Sequence, residues 1–93
     1  MASHTSPQRR RDELRFPVRI RIRVPPGGLG LMLADALRWL DTELGPGQWA
    51  NWPTESAHGN ATAFHFRTIE DAARFYAAFP MFMLADATAA GLV

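Results

Sequence analysis

Residues 16–24, Phe-Pro-Val-Arg-Ile-Arg-Ile-Arg-Val, decide the fold of this chain. Successive side chains of a strand point to opposite faces. Val18, Ile20, Ile22 and Val24 therefore fall on one side, and Arg19, Arg21 and Arg23 on the other. Strict alternation of β-branched and charged residues marks a half-buried strand. Pro25-Pro26-Gly27-Gly28 ends it, because proline cannot donate to a ladder and glycine opens a turn.

Downstream, the hydrophobic period changes. Leu29, Leu33, Leu37, Leu40 and Leu44, with Met32 and Ala36, make an apolar helical stripe over residues 29–44, and Gly45-Pro46-Gly47 stops it. Residues 49–55 and 61–67 read as two strands joined by a hairpin around His58-Gly59-Asn60. Pro53 marks the first of them as an edge or bulged strand. A second helix opens at Thr68, an N-cap residue followed by Glu70 and Asp71 at the positive end of the helix dipole. Ile69, Ala72, Ala73, Tyr76 and Phe79 form its apolar face, and Pro80 closes it. Residues 81–84 read equally as a short fourth strand or a helical turn.

The order β-α-β-β-α predicts an α+β domain of the split β-α-β, ferredoxin-like kind, with both helices on one face of an antiparallel sheet and the other face open. The run Phe64-x-Phe66-x-x-x-Glu70-Asp71-Ala72-x-x-Phe75 resembles the strand-to-helix step of many ferredoxin-like domains. It covers about a dozen residues and names no function. Residues 1–14 show no periodicity and are expected to be a disordered basic arm. Residues 15–84 make the domain, and 85–93 are expected to be a flexible tail.

Ninety-three residues suffice for one modest core, and 47% apolar content is that of a globular chain. The absence of cysteine excludes disulfides and thiolate metal sites. The polar N-terminus leads into no apolar signal region, and the longest apolar stretch, residues 29–40, is broken by Asp35 and Arg38. The expectation is a cytoplasmic protein without a membrane segment or cofactor.

A net charge of +1 conceals a division. Residues 1–24 carry seven arginines against two carboxylates, and residues 25–93 three arginines against seven, so the parts stand at +5 and −4. With Val18, Ile20 and Ile22 turned to the helices, Arg19, Arg21 and Arg23 must stand on the open face. His65 and Arg67 join them if Phe64 and Phe66 are core, and Arg9, Arg10 and Arg11 lead into the patch. Guanidinium groups so arranged suit phosphate or carboxylate partners. As a plain strand face, the same charges would serve only to block edge aggregation.

Trp52 depends on the hairpin register. A three-residue loop at residues 58–60 pairs it with Phe66 in the core. A two-residue Gly59-Asn60 turn sets it opposite Arg67 on the open face, as a platform for bases or a protein hot spot. Burial is the favoured reading.

Other motifs are weak. The glycines after Pro26 match neither a P-loop nor a dinucleotide fingerprint. Glu55, His58 and His65 match no metal motif, and Ser56 lacks a nucleophile setting. The sequence thus predicts a non-catalytic module binding an anionic macromolecule, either nucleic acid or an acidic protein, through its arginine face. The alternative is a protein that forms homodimers through its sheet or through the apolar residues Met81, Phe82, Met83 and Leu84.

Overall fold

The computed structural model describes residues 7–56 and 59–85. In chain order they form α1 (Pro7–Arg15), β1 (Val18–Arg23), α2 (Leu31–Glu43), β2 (Trp49–Ser56), β3 (Gly59–Phe66) and α3 (Ile69–Ala78). The strands make one sheet in the order β1-β3-β2. Both outer strands run antiparallel to β3, so β1 and β2 are parallel to each other with β3 between them. The architecture is α+β, with three helices and a three-stranded antiparallel sheet.

Two features depart from the expected β-α-β-β-α order. A helix precedes the first strand, and the fourth strand is reduced to a single bridge, Ile22 to Leu84. Two 2.8 Å hydrogen bonds frame that bridge, from Arg23 N–H to the Met83 carbonyl and from Ala85 N–H to the Arg21 carbonyl. The start of the expected flexible tail is thereby tied to β1, and Ala85 is buried. Residues 86–93, also assigned to that tail, lie outside the described residues.

The alternation in β1 fixes which face is core. Val18 stands opposite Phe66, Ile20 opposite Phe64 and Ile22 opposite Thr62. Ile22, Phe64 and Phe66 are fully buried together with Leu40 of α2 and Phe75 of α3. The Phe75 ring is the hub, 4.8 Å from Phe64, 5.3 Å from Phe66, 5.4 Å from Phe79 and 6.0 Å from Trp39 between centroids. Such separations combine area burial with favourable tilted and edge-on ring geometry.

The helix ends follow from local chemistry. Gly30, at φ 60°, turns the chain into α2 through a conformation that side chains resist. Thr68 caps α3 as the sequence suggests, its hydroxyl accepting from Asp71 N–H at 3.1 Å. Pro53 lies in β2, an edge strand, as a residue without an N–H requires. Ile69, expected on the apolar face of α3, is 72% exposed. It sits at the first helical position, before the face turns toward the sheet.

The expected disordered arm is instead α1 from residue 7 onward, and the expected open face is its docking surface. Pro7 at the first helical position supplies a preset φ. Asp12 is buried and accepts from the Gln8 amide at 2.9 Å and from the Trp52 indole N–H at 3.0 Å. Phe16, just beyond the helix, is 2% exposed. A polar helix anchored by one carboxylate and one trailing ring leaves no hydrophobic period to read.

Phe75→Ala should lower unfolding stability by about 3–5 kcal/mol, the usual cost of deleting a buried aromatic ring. Ile69→Ala should stay within about 0.5 kcal/mol of the parent in the same urea titrations. Equal losses from the two would contradict a core centred on Phe75.

Candidate anion-binding surface

The β1–β3 register carries Arg19 opposite His65, Arg21 opposite Ala63 and Arg23 opposite Ala61. The arginine face therefore exists, but it is not open. On β2 the same face holds Ala50, Trp52 and Thr54. The hairpin pairs Ser56 with Gly59, and Trp52 faces Ala63 rather than Phe66 or Arg67. Trp52 lies half-buried between sheet and α1, outside the Phe75 core. The expected registers differ because they put Gly59 and Asn60 in the turn, whereas both are paired residues of β3.

The predicted site residues part company. Arg21 is turned inward and donates to the Glu55 carbonyl across the sheet. Arg23 donates to the Met83 thioether at 3.4 Å. Arg67 follows the end of β3 and donates to the Gln48 side-chain carbonyl. Arg9 pairs with Glu13 at 3.5 Å and stands 5.9 Å over the Trp52 ring. It closes the indole from above, so Trp52 offers no free stacking platform.

Arg10, Arg11 and Arg19 remain exposed. Arg15, absent from the predicted patch, joins them, its guanidinium 5.0 Å from the Phe16 ring. Arg10, Arg11, Leu14 and Arg15 form the outer side of α1, since i and i+4 positions share a helix face. The two carboxylates of α1 lie on the other side and are engaged, Asp12 by Gln8 and Trp52, Glu13 by Arg9. No ion pair involves Arg10, Arg11, Arg15 or Arg19 among the described residues. The helix thus turns its acids and Arg9 inward and Arg10, Arg11 and Arg15 outward.

His65, expected on the strand surface, is 3% exposed and floors a recess with Glu13, Phe16, Pro17 and Arg19. Its Nε2 is buried without a hydrogen-bond partner. Burial holds its pKa below the ordinary value of 6.5, and Arg19 and Arg9 push the same way. Glu13 and a backbone hydrogen bond at Phe16 oppose them. The ring is a neutral element of the α1 docking surface rather than a cation of a phosphate site.

Glu55 falls on the α2/α3 face of the sheet and His65 on the α1 face, so these two do not converge. His58, the remaining member of that set, lies outside the described residues. Among the described residues no cluster of His, Asp or Glu could hold a metal, and no helix is long and apolar enough to cross a membrane. No protein family, curated protein or solved structure matches this chain.

Because the His65 pKa is lowered when α1 is docked, the undocked chain binds more protons. Docking is fully favoured above the ordinary value of 6.5 and weakens as pH falls from there through the lowered value. The Trp52 indole N–H resonance should therefore shift toward its solvent-exposed position on acidification. In His65→Gln that shift should be lost over the same pH range. An unchanged acid response in the variant would remove His65 from the docking equilibrium.

Proposed function

We propose that this protein is a small non-catalytic binding module whose basic surface engages an anionic polymer, with the phosphate backbone of nucleic acid as the favoured partner. One observation carries the proposal. On α1 the acidic side chains are turned to the sheet and paired, while Arg10, Arg11 and Arg15 project outward, with Arg19 beside them on β1. Guanidinium groups without an ion-pair partner are ready donors to phosphate oxygens. The charge division of the chain supports the same reading, because the excess is concentrated in residues 1–24.

The arrangement favours backbone contact over base recognition. Of the aromatic rings beside the arginines, Phe16, 5.0 Å from the Arg15 guanidinium, is buried, and Trp52 lies under Arg9. Affinity should thus depend on salt more than on sequence. The position of the Leu84 bridge on the outer edge of β1 also supports a degenerate ferredoxin-like arrangement, with residues 83–85 in the place of a fourth strand. That arrangement supplies a scaffold and implies no partner.

A second reading, self-association, draws on Leu31, Met81 and Met83, which are 82%, 58% and 61% exposed. Sedimentation at rising concentration checks it, and a monomer throughout would remove it.

For the principal reading, binding to a duplex oligonucleotide should weaken linearly in log–log salt titrations, with a slope of about −3 to −4 for three or four neutralised phosphates. Replacing Arg10, Arg11 and Arg15 together by Gln should reduce the slope by about 2 to 3. The same replacement of Arg67 and Arg74 should leave the slope unchanged. No binding at low salt, or a slope indifferent to the α1 arginines, would overturn the proposal. Retained binding to a polyglutamate chain but not to the duplex would redirect it to an acidic protein.

A further inference from the structure

A second surface lies at the end of the sheet away from His65. Pro26, Leu29, Met32, Met81, Phe82 and Met83 line an open groove of about 480 Å³, inside the range of roughly 300–1,000 Å³ that small ligands occupy. Phe82 is 2% exposed and supplies a fixed apolar floor, while Met32, Met81 and Met83 are 40%, 58% and 61% exposed along the sides. The walls are tied to the sheet. Arg23 N–H holds the Met83 carbonyl at 2.8 Å, Val24 N–H holds the Asn60 carbonyl at 3.0 Å, and Gly28 N–H closes the turn on the Pro25 carbonyl at 2.8 Å.

The polar side chains in this lining are Arg23 and Asn60. Arg23 has no carboxylate partner among the described residues. Its guanidinium contacts the Met83 sulfur at 3.4 Å, and a thioether is a weak acceptor. A cation at the rim of a methionine-lined groove offers a strong donor set to an anionic head group and soft, adaptable walls to an apolar chain.

We infer that this groove binds a small amphiphilic carboxylate, its apolar chain lying along Leu29, Phe82 and the three methionines and its carboxylate displacing the Met83 sulfur from Arg23. The charge selects the head group. An acid gains a guanidinium partner, whereas an ammonium would meet a like charge, and an alcohol leaves Arg23 without an anion. This site is independent of the α1 surface and of the polymer proposed to bind there.

The test uses the full chain labelled with ¹³C at the methionine methyl groups and titrated with decanoate below its micellar concentration. The Met32, Met81 and Met83 methyl signals should move saturably and the Met1 signal should not. Decyltrimethylammonium at the same concentrations should move none of them. Arg23→Gln, whose side chain is exposed, should keep the parent amide spectrum and weaken decanoate binding about tenfold or more. Decanol binding should be indifferent to that change. Equal binding of the cationic and anionic amphiphiles, or a folded Arg23→Gln chain with unchanged decanoate affinity, would overturn the inference. So would methyl shifts that track protein concentration without ligand, because a second copy would then fill the groove.

Discussion

Strand β3 is buried along Ala61–Phe66, six consecutive residues and therefore both faces. A central strand in that condition needs a layer on each side, and the rest of the molecule answers to this demand. On one side Phe64 and Phe66 reach the Phe75 hub and the leucines of α2. On the other, Ala61, Ala63 and His65 present a low surface. Small residues let Trp52 and the Arg21 stem lie close to the sheet, and α1 closes over part of them. The two faces are built from different chemistry, aromatic packing on one and a hydrogen-bonded polar layer on the other.

That difference sets the balance of stability across the structure. The aromatic face removes large areas from water, a term that depends little on pH or salt. The α1 face relies on a buried carboxylate held by an indole and an amide, one trailing phenylalanine and a neutral histidine. Its interactions are directional, and each partner lost leaves another buried group unsatisfied. Local opening should therefore begin with α1, while the sheet, α2 and α3 persist as a unit.

The two-faced burial of β3 was legible in part. Residues 61–66, Ala-Thr-Ala-Phe-His-Phe, contain no permanently charged side chain, unlike β1 with its three arginines. An open face would ordinarily carry charge at Ala61 or Ala63. The alternation of β1, the leucine stripe of α2 and the Thr68 cap were plain because each is a local, periodic or capping signal. The docking of α1 was not, since Asp12 meets Trp52 across 40 positions and no spacing rule links them. The acids Asp12 and Glu13 inside an arginine run were the available hint, as paired charges on one side of a helix. Of the candidate site, Arg10, Arg11 and Arg19 were found from the sequence. Arg15, just past the expected arm, entered the charge count but was given no face. Arg21 is held by a partner distant in the chain, and Arg23 lies at the far end of β1 against the Met83 thioether.

The same helix then has two sides with linked duties. Its inner side sets whether α1 is docked, and its outer side carries the arginines to which the proposed polymer would bind. A polymer that prefers the docked arrangement stabilises it by mass action, and anything that undocks the helix weakens the polymer by the same factor. His65 enters that linkage with a definite sign. Protonation works against docking. On the proposed reading, affinity for a phosphate polymer should fall rather than rise on mild acidification. A surface patch whose own histidine supplied positive charge would respond in the opposite direction. On the proposed reading, the imidazole buried beneath α1 would make the basic surface answer to pH.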